Sequence, residues 1–216
     1  MNQLKVIALA STKGGVGKST LTCSLAAELM NRWEPGTPAW SIVDADPQGG
    51  TTAWHEAGGP LAKLMLFKEP RESVGKLARQ LVTRSNVIID AAGAATKTML
   101  AVLEVADLVV IPCRPSSLDA MGALTTFEMV RMAGGKRRPP ALVVLNATTR
   151  SAMTKHIRGE LEAAGAPVAR TEVANRAAFA AAAINGSAPC WMGAPARAAA
   201  ADIAALTDEI LEKLRR

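Results

Sequence analysis

The chain has 216 residues, of which 49% are hydrophobic and 20% charged. That length suits one α/β domain with a full core and excludes a disordered chain, while the absence of an apolar run of about 18 residues excludes a membrane span read from hydropathy. The formal net charge is +6, and it is unevenly placed: residues 1–108 carry +1 and residues 109–216 carry +5, which points to a polyanionic partner.

The N-terminal residues lack the apolar stretch and cleavage site of a signal peptide, so a cytoplasmic protein is expected. Leu4 to Ala10 reads as a first strand, followed by a Gly-rich turn, Lys13-Gly14-Gly15-Val16-Gly17. From Lys18 to Met30 the apolar residues Leu21, Leu25, Ala26 and Leu29 fall at helical spacing. Pro35, Gly36 and Pro38 break the chain before a strand at Trp40–Val43. Val87–Ile89, Leu108–Ile111 and Ala141–Leu145 are short, continuous and β-branched, as strands buried on both faces are. Helical stretches are expected at Val74–Arg84, Leu118–Met132 and Thr154–Ala164. Further on, Ala177–Ala183 and Ala196–Ala205 are Ala-rich, and Asp202–Leu214 sets Ile203, Leu206, Ile210 and Leu214 on one face. That face carries no Trp or Phe, so packing on the sheet is preferred to lying on a membrane. Alternating strands and helices predict a doubly wound, mostly parallel α/β sheet, here one domain over residues 1–216. Functional residues should then lie just beyond the carboxyl ends of strands, where Ser11, Asp44, Asp90 and Asn146 stand.

Cys23, Cys113 and Cys190 are scattered, and with His55 and His156 they form no usual zinc or iron–sulfur spacing. The chemistry must therefore come from Lys, Asp, Ser/Thr and backbone groups. Ser11-Thr12-Lys13-Gly14-Gly15-Val16-Gly17-Lys18-Ser19-Thr20 supplies what a nucleoside triphosphate needs. Glycines let backbone N–H groups approach the phosphates, a helix N-terminus near Lys18 points at them, Lys18 neutralises charge, and Ser19 can hold Mg²⁺. The strict GxxxxGK[ST] pattern is not met, because Thr12 stands where its first glycine would be, and an additional lysine, Lys13, opens the loop. A dinucleotide-binding GxGxxG is also not met, since Thr20 stands where its third glycine would be.

The KGGVGKST loop resembles the deviant Walker A motif of the ParA/MinD ATPases. Further segments are similar in order and spacing: Asp44-Ala45-Asp46-Pro47-Gln48, Val87-Ile88-Ile89-Asp90, Ile111-Pro112 with Pro115-Ser116, Val143 to Asn146, and Arg176-x-x-Phe179 with Gly186. The resemblance implies a P-loop NTPase fold with ATP and Mg²⁺ as ligands. It implies that Gly14, Gly15, Val16 and Gly17 wrap the phosphates, Lys18 contacts the β- and γ-phosphates, and Thr20 reaches the α-phosphate. Ser19 would ligate Mg²⁺, Asp90 would hold it through water, and Asp44 would lie near the metal and Lys18. Asp46 would orient the attacking water, Asn146 would meet adenine, and Lys13 would cross a dimer interface to the partner's nucleotide. One departure stands out: many relatives follow the second acidic strand with a D-x-P-P turn, whereas here it is Asp90-Ala91-Ala92-Gly93.

Family members couple ATP-dependent dimerisation to a surface, either DNA or membrane. The basic second half and the absence of a bulky apolar tail favour non-specific DNA over membrane. Arg150, Lys155, Arg158, Arg170 and Arg176 are the DNA-contact candidates, and Lys136-Arg137-Arg138 reads as an exposed basic loop. With a first strand at residue 4, the chain resembles the small ParA proteins without an N-terminal helix-turn-helix. The expectation is a nucleoid-associated ATPase for plasmid or chromosome partition, stimulated by an adaptor that reads the centromere or cargo. Positioning of a protein cargo, a MinD-like membrane regulator, and a metabolic P-loop enzyme are the alternatives.

Overall fold

A computed structural model describes residues 3–133 and 138–215. In chain order the elements are β1 (Val6–Leu9), α1 (Lys18–Asn31), β2 (Trp40–Ala45), α2 (Gly50–Glu56), β3 (Met65–Lys68), α3 (Val74–Leu81), β4 (Asn86–Ala91), α4 (Lys97–Leu103), β5 (Leu108–Cys113), α5 (Ser117–Met132), β6 (Ala141–Thr148), α6 (Ala152–Ala163), β7 (Val173–Ala174), α7 (Ala177–Ile184) and α8 (Arg197–Arg215). The strands form one seven-stranded sheet in the order β3-β2-β4-β1-β5-β6-β7. All its pairings are parallel.

Side-chain alternation along the strands divides the core in two. Val6, Ala8, Val43, Val87, Ile89, Val109, Ile111 and Val143 face one side, where α3, α4, α5 and α6 contribute Val74, Met99, Leu103, Ala123, Val130, Ile157 and Leu161. Ile7, Leu9, Ile42, Ile88, Leu108, Val110 and Val144 face the other, against Leu21, Leu25, Trp54, Ile203, Leu206 and Ile210 from α1, α2 and α8. Burial on both faces explains why these strands read as unbroken apolar runs. The C-terminal amphipathic face is therefore spent inside the molecule: α8 buries Ala199, Ile203, Leu206 and Ile210 as one continuous helix. Among the described residues, no helix is long and apolar enough to cross a membrane.

Sequence periodicity misses four elements. Helices α2 and α4 have only seven residues each, and β7 has two, too short for a period to emerge. Strand β3 lies at the sheet edge with Met65 and Lys68 exposed, and its apolar run, Met65-Leu66-Phe67, has none of the β-branched residues that mark the central strands. Helix α3 ends at Leu81 rather than Arg84, where the chain turns.

Three helix starts have visible causes. Thr96, Ser116 and Ser151 each accept a backbone N–H from three residues on, capping α4, α5 and α6. Ser116 also donates to Asp119, closing a reciprocal cap. The Pro115-Ser116 pair thus fixes where α5 begins. Central β1 is followed by α1 on one face, while its neighbours β4 and β5 lead into α4 and α5 on the other. The connections diverge there, and a crevice opens at the carboxyl ends of these strands.

Candidate functional site

The crevice is floored by the loop from Ser11 to Gly17. Helix α1 starts on Gly17, whose φ is +96, with no side chain capping its first turn. Its free N–H groups and dipole make an anion seat. Gly17 also lies against Asn146: a Cβ there would stand 2.2 Å from Asn146 Nδ2, so both the torsion and the space require glycine. Asn146 Nδ2 donates to the Val16 carbonyl at 2.8 Å, tying the end of β6 to the loop.

Lys18 is buried, and its ammonium donates to the Lys13 carbonyl at 3.2 Å. Burial lowers its pKa, opposed by the nearby carboxylates of Asp90 and Asp46. Ser19 Oγ donates to Asp90 Oδ2 at 2.6 Å, and Thr51 Oγ1 donates to the same oxygen at 2.8 Å. Asp90 is fully buried at the end of β4, and its Oδ1 has no hydrogen-bond partner. Burial pushes its pKa up to about 7, against the hydrogen bonds from Ser19 and Thr51 that favour the ionised form. An orphaned carboxylate oxygen beside two hydroxyls is an all-oxygen set of the kind a hard divalent cation takes, so these residues fit Mg²⁺.

The two acids after β2 divide their work. Asp46 is half-buried, accepts the Gln48 N–H at 2.9 Å through Oδ1, and lines the cleft with Gly14, Gly15, Lys18, Ser19, Thr20, Gly93 and Thr96. That cleft is about 640 Å³. Asp44 stands beside Asp90, its register partner on the neighbouring strand, and both of its own oxygens are engaged. Its Oδ2 accepts the Thr52 N–H and hydroxyl at 2.7 and 2.6 Å, and its Oδ1 accepts the Asp46 N–H at 3.1 Å. Asp44 is fully buried, and these bonds compensate its charge by fixing the first turn of α2 and the Asp46 loop. It acts here as a satisfied loop acid.

Gly93 accounts for the Asp90-Ala91-Ala92-Gly93 departure. A Cβ there would stand 3.1 Å from Lys18 Nζ and 3.4 Å from Gly14 Cα, so the turn lies directly on the phosphate loop. A second pocket of about 300 Å³ adjoins the loop between β6 and α7, lined by Gly15, Gly17, Thr20, Arg114, Asn146, Asn175, Arg176 and Phe179. Asn146 thus faces the space expected to take adenine. Ala147, next to it, is the one non-glycine residue with positive φ, at 52, among the described residues, where β6 loses register with β7. Local strain of this sort gathers at binding sites.

Three contributors escape sequence inspection. Thr51 reaches Asp90 only because α2 folds back over α1, Thr126 accepts the Thr12 N–H from the middle of α5, and Arg114 lines the second pocket from the end of β5. Nothing in the spacing of Thr51 or Thr126 marks them.

The basic candidates differ in their neighbours. Arg158 pairs with Glu172 and Glu162, Arg170 with Glu209 and Glu212, and Arg176 with Asp202. These three arginines are held in intramolecular ion pairs because acidic residues of α6, of α8 and of the segment before β7 fold against them. Arg150 and Lys155 are exposed, make no ion pair among the described residues, and flank the start of α6. Lys136 and Arg137 lie outside the described residues; Arg138 is exposed.

Residues 7–190 match the family model described as the CobQ/CobB/MinD/ParA nucleotide binding domain. The chain is 32% identical over 217 residues to the maintenance of carboxysome distribution protein A of Halothiobacillus neapolitanus, covering 97% of this chain and 98% of that one. It is 33% identical over 129 residues to the protein ParA of Rhizobium radiobacter, covering 59% and 56%. Among solved structures, apo McdA of Cyanothece superposes with a TM-score of 0.77 at 18% identity over 98% of this chain and 99% of that one. MinD of Pyrococcus horikoshii with Mg-ADP superposes with a TM-score of 0.76 at 14% identity over 96% of each chain. With its seven-stranded parallel sheet and glycine-rich phosphate loop, the chain belongs to the CobQ/CobB/MinD/ParA family of nucleotide-binding proteins, on the ParA/MinD ATPase side of it.

Proposed function

We propose that the chain is a Mg²⁺-dependent ATPase that pairs with a second copy when ATP is bound, holds to DNA without sequence preference, and positions a cargo through an adaptor protein. The observation that carries this is the uncapped start of α1 behind Lys13-Gly14-Gly15-Val16-Gly17-Lys18-Ser19, facing the orphaned oxygen of Asp90. Phosphoryl transfer needs positioning and positive charge more than a protein nucleophile, and this loop supplies both.

Gly14, Gly15, Val16 and Gly17 present backbone N–H groups to the phosphates, and Thr20 adds its hydroxyl near the α-phosphate. Lys18 gives up its bond to the Lys13 carbonyl and offers its ammonium to the β- and γ-oxygens. Ser19 and Asp90 would hold Mg²⁺, which when bound would neutralise phosphate charge. Asp46, steadied by the Gln48 N–H, offers its other oxygen to the attacking water. Asp44 keeps that loop in place. Asn146 braces the loop and faces the base. Lys13 turns from its own chain's nucleotide and crosses to that of the second copy. Exposed Leu118 and Met121, on the same helix that carries Lys13's contact, favour pairing on this face.

The surplus charge of the second half supports DNA as the surface. Arg150 and Lys155 are its strongest contacts, since they are exposed and make no ion pair among the described residues. Similarity along nearly the whole length to a carboxysome distribution protein, against partial coverage of a ParA protein, favours a protein assembly over a replicon as cargo. Plasmid partition remains the second reading, on that ParA match.

The test is binding to a non-specific duplex with ATP, ADP or no nucleotide, each with Mg²⁺ and at two salt concentrations. Binding that requires ATP and weakens with salt is the expected result. Equal binding in all states removes nucleotide control, and no binding in any state removes DNA.

A further inference from the structure

We propose that Gly122 of α5 is the positioning residue for Lys13, seating the stem of that side chain so that its ammonium is presented away from its own loop. Gly122 lies inside the sixteen-residue α5, where glycine is disfavoured relative to alanine by roughly 1 kcal/mol. Its φ is not positive, so the backbone gives no reason for glycine. Space does. A Cβ at position 122 would stand 2.3 Å from Lys13 Cγ, and its next neighbours would be Lys13 Cβ and Cδ at 3.4 and 3.5 Å. All three nearest atoms belong to Lys13.

The surrounding bonds lock the same turn of helix to the base of the loop. Thr12 Oγ1 donates to the Gly122 carbonyl at 3.0 Å, and the Thr12 N–H donates to Thr126 Oγ1 at 2.9 Å. Thr126 Oγ1 in turn donates to the Gly122 carbonyl at 2.7 Å. Backbone at Thr12 and side chain at Lys13 are thus both referenced to one turn of α5. The Lys13 ammonium makes no hydrogen bond or ion pair among the described residues. The berth takes the aliphatic stem and leaves the charge free, which suits a lysine that must reach a nucleotide outside its own chain. A methyl group at 122 displaces Cγ, close to the backbone, so Lys13 changes rotamer or the loop shifts.

This rests on the reading of Lys13 as a residue acting across a dimer, and the experiment separates the two. Gly122→Ala, Lys13→Ala and the double variant are compared by urea unfolding without nucleotide, and Gly122→Ala and Lys13→Ala are compared with the wild type in steady-state ATP turnover, where normal turnover of Lys13→Ala refutes the cross-dimer reading of Lys13 and leaves the berth to the unfolding cycle. In the unfolding cycle, Gly122→Ala is expected to lower the midpoint or leave it unchanged when Lys13 is present and to raise it when Lys13 is Ala, because only then does the helix gain of alanine show. In turnover, Gly122→Ala is expected to lower kcat on the order of tenfold while the KM for ATP stays within about twofold, since the Lys18 side of the loop is untouched. The same midpoint shift in both backgrounds overturns the berth. A coupled cycle with unchanged kcat overturns the positioning role while the berth stands. A wild-type chain with no turnover refutes the ATPase reading and with it the positioning role, while the unfolding cycle still decides whether the berth exists.

Discussion

Asp90 is a carboxylate fully withdrawn from water with one oxygen unpartnered, and burial, with the nearby Asp44 carboxylate, lifts its pKa to about 7. A group so placed is destabilising in the empty protein and useful only when a cation meets it. Asp90→Asn should therefore raise the unfolding free energy of the nucleotide-free chain by about 1–3 kcal/mol while abolishing the Mg²⁺ dependence of nucleotide binding. Urea unfolding and nucleotide titration with and without Mg²⁺ check the two halves, and a less stable variant would count against the argument. Asp46→Ala should behave differently. Its carboxylate takes one backbone N–H and faces the cleft, so ATP should still bind while hydrolysis falls, which single-turnover kinetics would show. Loop residues such as Lys18 and Ser19 announce themselves in the sequence because phosphate chemistry restricts what can stand there. The bonds that Asp44 makes are not visible in that way. Acidic residues two apart look alike in a chain, and only the fold of α2 turns Thr52 onto Asp44 and leaves Asp46 open.

At the scale of elements, the edge of the second pocket depends on one ion pair. Asp202 on α8 takes Arg176 Nε at 3.0 Å and the Ala174 N–H at 3.2 Å, joining β7, the start of α7 and α8. Asp202→Ala should cost about 1–2 kcal/mol and weaken nucleotide binding, because it frees Arg176 and Phe179 on the pocket wall. Arg170→Ala, at a pair whose arginine is 77% exposed, should cost under about 1 kcal/mol and leave nucleotide binding unchanged. Thermal melts and nucleotide titrations of both variants test the contrast. The Arg176-x-x-Phe179 segment is visible in the sequence, but its partner is 26 residues away on another helix. Elements of eight or more residues show their period in the chain, whereas α2, α4 and β7 form because neighbouring strands and loops hold their ends.

For the whole molecule, the question is where the positive charge goes. Folding sets Arg158, Arg170 and Arg176 in ion pairs, whereas Arg150 and Lys155, near the start of α6, make none among the described residues. Arg150→Glu with Lys155→Glu should therefore weaken DNA binding uniformly across sequences and reduce the log–log salt slope by about 2, at roughly 0.9 per lost phosphate contact. Glutamate at Arg170, already between two acids, should change that slope by less than about 1. Binding isotherms over a salt series measure both, and an unchanged slope in the double variant would move the DNA surface elsewhere.

The sequence by itself determined the parallel α/β class, the phosphate loop and the acidic strand ends. Two-sided burial leaves continuous apolar runs, and phosphate recognition demands glycines, a lysine and a hydroxyl at close spacing. Only the tertiary structure decided which oxygens stay free, which arginines stay unpaired, and that Gly122 and Gly93 lie against the loop. Those outcomes depend on contacts between residues far apart in the chain, and local spacing carries no record of them.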